Sequence, residues 1–271
     1  MADSGKNSTP TDDKAVDDSL GLRSPLIYEV IRREGVEELK RPTQSLFLSG
    51  IAAGLAISFS IYCKAFLYVA LEGHSLQSLL SNIGYTVGFI IVIFGRLQLF
   101  TESTITVVLP LLRDTTKRCL AATLRLWAIV FIANMLGSLF SILFVYHGGL
   151  FPPEQVAAIL SISHHLTEYS PLAALLYGIP AGFLIASIVW IQPSAEGSRF
   201  WIILLITYMI ALGGMTHVVA GSTEWFALAL AGEMSWSRAV FGGILPALTG
   251  NIIGGTGLFA MLSYGQTQKE M

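Results

Sequence analysis

Charge is what this chain has least of. Asp, Glu, Lys and Arg make up 13% of its 271 residues, against 53% hydrophobic residues and a mean hydropathy of +0.65. That balance excludes an ordinary soluble domain, in which about a quarter of the residues are charged. The formal net charge of −2 says little, since the asymmetry of the loops and not the total sets topology; no nucleic-acid partner is expected. Cysteine is nearly absent: Cys63 and Cys119 fall in or beside apolar segments on opposite halves of a bilayer, which excludes a disulfide framework and a Cys-based metal site. The apolar segments also lack the His-rich or Asp-rich cluster that a membrane hydrolase needs, so Ser103, Thr104 and His217 have no metal to work with. We therefore expect no enzyme, no metal and no cofactor. The first 20 residues lack the basic start and apolar run of a cleavable signal and read as a disordered cytosolic tail.

Six apolar segments remain, at residues 45–71, 79–112, 120–146, 171–191, 200–231 and 239–264. Each is long enough for a membrane helix, which needs about 20 residues, and none shows the short alternation of a membrane strand. The expected fold is an all-α integral membrane protein with six transmembrane helices. With the N-terminus inside, Lys6, Lys14, Arg23, Arg32, Arg33, Lys40, Arg41, Arg113, Lys117, Arg118, Arg199 and Lys269 share the cytoplasmic side and Arg238 stands alone outside. Basic loop residues stay in the cytoplasm, so both termini are expected there, in a cell inner (plasma) membrane. The chain divides into a tail (1–25), an amphipathic helix on the membrane or a neighbouring subunit (26–43), a transport domain (44–265) and a short C-terminus (266–271).

The sequence repeats itself. Gly50-Ile51-Ala52-Ala53-Gly54 returns as Gly178-Ile179-Pro180-Ala181-Gly182, and Asn134-Met135-Leu136-Gly137 returns as Asn251-Ile252-Ile253-Gly254. Three segments per half make an inverted 3+3 repeat, because an odd repeat enters the bilayer from the opposite side. The second and fifth segments exceed the length of one span. The second is interrupted through Gly95, Arg96, Gln98, Thr101 and Glu102, the fifth through Gly213, Gly214, Thr216 and His217. Polar backbone at membrane depth is tolerated where it lines a cavity or is buried in protein, so both helices are expected to break at the midplane beside a pathway. The Asn-x-x-Gly shift of 117 residues carries Phe100 onto His217. Restarting half-helices near Ser103 and His217 would aim their positive ends at the middle, attracting a small anion.

His217 is the ionisable group of that midplane, and an imidazole there can exchange a proton with a weak acid's anion; a ring satisfied by carbonyls of the break is the structural alternative. Thr101 is its expected hydrogen-bond partner. Arg96 and Glu102 form either a neutralising pair or, through the guanidinium, an anion attractor, with Thr216 in the opposite break. Glu224, two turns beyond His217 on the same face, could line an outer vestibule. Lys64 and Arg125 are expected to snorkel to the interface. Tyr85, Phe89, Leu99 and Phe100 are pore constriction or helix packing.

Leu99-Phe100-Thr101, Gly214-Met215-Thr216-His217 and the paired Asn-x-x-Gly signals, taken together, resemble the formate/nitrite transporter family over about residues 26 to 265. The run Arg96-Leu97-Gln98-Leu99-Phe100-Thr101-Glu102 looks most like its YfdC branch. The resemblance implies a homopentamer of aquaporin-like protomers in membrane lipid, each passing small monovalent anions such as formate, nitrite or lactate. It also implies that Leu99, Phe100 and Thr101 line a pore opposite the central His217, with apolar slits at Tyr85, Phe89 and Ile210. The match departs where the family has an acidic residue before the histidine (Thr216 here) and asparagines at Gly221 and Gly182. The family's vestibule lysine has no clear counterpart. The expected function is therefore a passive or proton-linked channel for a weak-acid anion, with His217 as proton relay. The alternative is a channel for a small neutral solute such as water, ammonia or glycerol, although no Asn-Pro-Ala sequence of an aquaporin occurs.

Overall fold

A computed structural model describes residues 21–270, so most of the expected tail, up to residue 20, lies outside the described residues. Eleven helices organise the described chain: α1 (Ser24–Lys40), α2 (Thr43–Ala70), α3 (Gln77–Phe94), α4 (Phe100–Thr106), α5 (Val108–Arg113), α6 (Lys117–Gly148), α7 (Pro153–Ser163), α8 (Pro171–Ile191), α9 (Arg199–Leu212), α10 (Val218–Leu230) and α11 (Arg238–Thr267). Among the described residues there is no strand. Five of these helices, α2, α3, α6, α8 and α11, are long and apolar enough to cross a membrane. The remaining apolar segment is two half-length pieces. At about 1.5 Å per residue, α9 and α10, with 14 and 13 residues, each reach only part of the way through a hydrocarbon core.

Local chemistry sets the ends of the long helices. The Thr116 hydroxyl accepts the Cys119 amide at the start of α6, and the Ser170 hydroxyl accepts the Ala173 amide at the start of α8, ahead of Pro171. Gly149 closes α6 in the left-handed conformation, φ 61°.

Two helix pairs form the frame, α2 against α6 and α8 against α11. Small residues let the backbones of each pair nearly touch. A Cβ at Gly54 would collide with the carbonyl oxygen of Asn134, and one at Gly182 with that of Asn251. This is how membrane helices gain packing without a hydrophobic driving force between them. The half-helices are then exchanged across the frame: α4 lies on α8 and α11, whereas α10 lies on α6 and α2, and the incoming α3 and α9 lie side by side.

Two elements depart from expectation. The amphipathic helix α1 buries Ile27, Tyr28, Ile31 and Gly35 against its own chain, a packing the sequence did not foresee. The Tyr28 hydroxyl donates to the Leu109 carbonyl at 3.1 Å, and a Cβ at Gly35 would strike the Thr106 carbonyl. The short α7, between the third and fourth long helices, was not legible because its eleven residues fall below a spanning length.

Candidate functional site

Both breaks are five residues long, 95–99 and 213–217, and both use a left-handed residue: Arg96 at φ 50° and Gly214 at φ 60°. Glycine adopts that conformation freely, whereas an arginine does so at a cost. Each break is then held by one buried asparagine. The Asn134 amide donates to the carbonyls of Gly50 (2.8 Å) and Gln98 (2.9 Å), and its oxygen accepts the Phe100 amide (2.9 Å). The Asn251 amide donates to Gly178 (2.8 Å) and Thr216 (2.9 Å), and its oxygen accepts the Val218 amide (2.8 Å). Four backbone groups freed by the breaks, the carbonyls of Gln98 and Thr216 and the amides of Phe100 and Val218, thereby find partners at membrane depth, and the bonds to Gly50 and Gly178 tie each clamp to a neighbouring helix.

These matched bonds correct the repeat register. They pair Gln98 with Thr216 and Phe100 with Val218, a shift of 118 residues, although the asparagines themselves are 117 apart. The counterpart of His217 is therefore Leu99, each being the residue immediately before its half-helix. The helix of the first break also restarts at Phe100, earlier than Ser103. The first amide of each half-helix is taken by asparagine, so an anion would not meet the row of unpaired amides expected from the sequence.

His217 is 1% exposed and joins the two breaks. Its Nδ1 accepts the Ala220 amide at 3.1 Å, and its Nε2 lies 2.7 Å from Thr101 Oγ1. Because the Ala220 N–H is a donor, Nδ1 is an acceptor; the neutral ring then carries its proton on Nε2 and donates it to Thr101. Phe89 packs edge-on against the imidazole, with centroids 4.9 Å apart, and Tyr85 continues that wall at 5.4 Å from Phe89.

A cavity of about 20 Å³ opens beside the imidazole, lined among others by Lys64, Tyr85, His165, Thr216, His217 and Glu224. That is room for about one water-sized species. Leu99 and Ile210 are buried in the apolar core, with Ala211 and Met215 on the cavity wall. Phe100 turns its ring away, toward Trp127 and Phe131 (5.7 and 5.4 Å). Thr216 donates its hydroxyl to the Ala174 carbonyl at 2.6 Å.

The expected Arg96–Glu102 pair is not formed. Arg96 is largely exposed and reaches Glu34 of α1 at 3.4 Å. Glu38 of α1 also meets the break, accepting from Gln98 Nε2 and Thr106 Oγ1, each at 3.2 Å. Burial pushes the Glu38 carboxyl above its ordinary range, outweighing the pull of those two bonds. Arg125, as expected, stays at a helix end, donating to the carbonyls of Leu39 and Arg41 (3.0 and 3.2 Å).

Lys64 departs from the snorkelling expectation by entering the cavity. His165 arrives there from the turn after α7. The sequence carried a signal for the first, a cation seven residues before the end of an apolar run, and for the second only its place, with His164 and Glu168, near where the family has its vestibule lysine. The asparagine clamps had a signal too, since their repetition was visible before their task was.

Comparison with known proteins places this geometry. The formate/nitrite transporter family model matches residues 25–265. The inner membrane protein YfdC of Escherichia coli K12 is 39% identical over 255 residues, covering 94% of this chain and 82% of that one. The formate channel FocA of the same organism is 25% identical, covering 83% and 86%. A solved pentameric formate channel with formate bound shares the fold at a TM-score of 0.70 and 19% identity, over 84% of this chain and 98% of that one. A second, an FNT family ion channel, reaches 0.75 at 19% identity, over 89% and 98%.

Proposed function

The chain belongs to the formate/nitrite transporter family, and from that premise we propose that it conducts a small monovalent weak-acid anion of the size of formate, nitrite or lactate. The pathway runs through each protomer of a homopentamer, as an inverted 3+3 repeat in an inner membrane with both termini cytoplasmic. The formate/nitrite transporter family model and the names of the channel relatives support conduction rather than catalysis.

The observation that carries this reading is the 2.7 Å contact between Thr101, in the first turn of α4, and His217, at the end of the second break, beside a water-sized cavity. An anion arriving there exchanges the Thr101 oxygen for itself and receives the Nε2–H. The positive end of α10 reinforces that donor. Full proton transfer asks more of the site. The ring can take a second proton only on Nδ1, which requires the Ala220 amide to let go; the imidazolium then passes its Nε2 proton to the anion, and the neutral acid crosses the apolar wall of Tyr85, Phe89 and Leu99. His217 is thus a hydrogen-bond donor first and a proton relay when its helix cap opens. Thr216 keeps the second break closed through Ala174, while Arg96 and Glu102 act from the edge of the first.

Uptake of labelled formate, nitrite and lactate into proteoliposomes across a pH series tests the proposal. Uptake is expected to rise with acidity and to fall about tenfold or more, a barrier increase of about 1.4 kcal/mol, in His217→Asn, whose side-chain oxygen still caps α10. Anion uptake no faster than in empty liposomes, together with accelerated water or ammonia flux, would overturn it in favour of a neutral-solute channel.

A further inference from the structure

The half-helix α4, which carries Thr101, has seven residues. So short a helix leaves most of its terminal carbonyls without an intrahelical donor, and two side chains supply what is missing. Trp127 Nε1 of α6 donates to the Ser103 carbonyl at 3.1 Å, and Thr256 Oγ1 of α11 donates to the Thr104 carbonyl at 2.6 Å. The Thr104 hydroxyl in turn donates to the Thr101 carbonyl at 2.7 Å, and the Thr101 hydroxyl meets His217 Nε2 at 2.7 Å. Residue by residue, hydrogen bonds thus connect α11 to the imidazole through Thr256, Thr104 and Thr101. The start of that line is unusual backbone: Ile253–Ala260 form a π-helical stretch, a rare geometry that recurs at functional sites. Gly255 within it admits the Thr104 hydroxyl, whose place a Cβ would take. The other hydrogen bonds from α4 to its neighbours, to Asn134 and Trp127 of α6 and Glu38 of α1, stay within the first half of the chain. Among the described residues, only Thr256 and His217 itself reach α4 from the second half.

We propose that Thr256 is a positioning residue of the pathway: by holding the Thr104 carbonyl it fixes α4 against the half of the chain that carries His217, and so keeps the Thr101 oxygen within reach of the imidazole. A permeating anion has to displace that oxygen from Nε2–H. With the backbone of α4 tethered, the contact opens by rotation of the Thr101 side chain, for which threonine has two helical rotamers. The oxygen then returns to the same point once the anion has passed. Without the tether every group of the site is still present, but a site held about 1 Å too loosely loses function while keeping its residues.

This inference rests on the anion reading above, and its test separates the two. In proteoliposomes, Thr256→Val is expected to lower maximal formate uptake about threefold or more, while Thr256→Ser, which keeps the donor, stays close to the parent. A cycle with Thr101 supplies the readout that a merely structural role would not move. In a Thr101→Val background, which has no oxygen left to place, Thr256→Val is expected to cost nothing further. Parental uptake by folded Thr256→Val, or its full additional loss in the double variant, overturns the proposal and would leave Thr256 a packing contact of α11. Should Thr256→Val not fold, Thr256→Ala, which only removes atoms, takes its place with the same expectations. If the parent carries no anion, the reading above fails by itself, and the ring nitrogens of His217 still decide. In detergent-solubilised protein carrying isotope-labelled histidine, with His217 assigned by its loss in His217→Asn, the Nε2 resonance is expected to move in Thr256→Val and to stay in Thr256→Ser. A resonance that Thr256→Val leaves in place overturns the assignment.

Discussion

His217 does two structural jobs before any transport: its Nδ1 caps α10 and its Nε2–H ties α10 to Thr101 in the first turn of α4. Thr101→Val removes the acceptor and leaves a buried N–H unpaired, at a cost of about 1–3 kcal/mol, whereas Thr101→Ser keeps the oxygen. Thermal unfolding in detergent should therefore rank Val well below Ser, with Ser near the parent. The left-handed residues give a second contrast. Gly214→Ala is expected to destabilise by about 1–2 kcal/mol, because a Cβ is disfavoured at that φ and would also approach the Tyr169 hydroxyl at 3.1 Å. Arg96→Gly relaxes the same conformation in the other break and loses only an exposed pair to Glu34, so its midpoint should match or slightly exceed the parent's.

Among the elements, the two breaks stand or fall with their asparagines. Asn134→Ala orphans the Gln98 carbonyl and the Phe100 amide, and Asn251→Ala the equivalent two, each also losing its tie to a neighbouring helix. Each is expected to cost about 2–4 kcal/mol, visible as a lower thermal midpoint even if the protein still inserts. The helix α1 adds a pH dependence. Glu38 has a raised carboxyl in the folded chain, so the folded state binds its proton more readily than the unfolded one, and its contribution is lost as pH rises through the carboxylate range. The stability gap between Glu38→Gln and the parent should therefore widen in favour of Gln from acid to neutral pH; a gap that does not move would remove the buried carboxylate from α1 docking.

These elements also show what the sequence could and could not reveal. The breaks were legible because 34 and 32 apolar residues exceed one span and because glycines cluster midway. Their register was off by one, since the Asn-x-x-Gly spacing is set by the packing of α6 and α11 and not by the loops those asparagines clamp. Phe100 read as a pore residue next to Thr101, but adjacent residues on a helix point in different directions, and its ring went to α6. Lys64 could not be assigned a face because α2 is apolar all round, leaving only three-dimensional packing to decide which side meets a cavity. The docking of α1 turned on Gly35, a residue whose lack of a side chain carries no periodic signal.

At the level of the whole molecule, each half of the chain clamps its own break but lays its half-helix on the frame of the other half, so the Thr101–His217 contact needs both. Separately expressed halves, residues 21–148 and 149–270, are accordingly expected to regain formate uptake only when co-reconstituted. Large apolar side chains such as Phe140, Trp201, Phe241 and Leu262 remain well exposed on the isolated protomer, available to lipid or to sister copies. Native mass spectrometry from detergent should then show five copies of the 29.3 kDa chain; a monomer as the dominant species would count against the pentamer.

The mirrored clamps disguise an asymmetry. The turn after α7 brings His165 to the cavity, and nothing at the α1 end of the molecule repeats that contribution; there the first break meets Glu34 and Glu38 instead. The charges beside the two breaks thus differ, Lys64 and His165 on one side and Glu34, Glu38 and Arg96 on the other. Transport is therefore expected to run unequally in its two directions: under equal and opposite gradients, formate influx and efflux in oriented proteoliposomes should differ, and exchanging Glu34 and Glu38 for neutral amides should even them out.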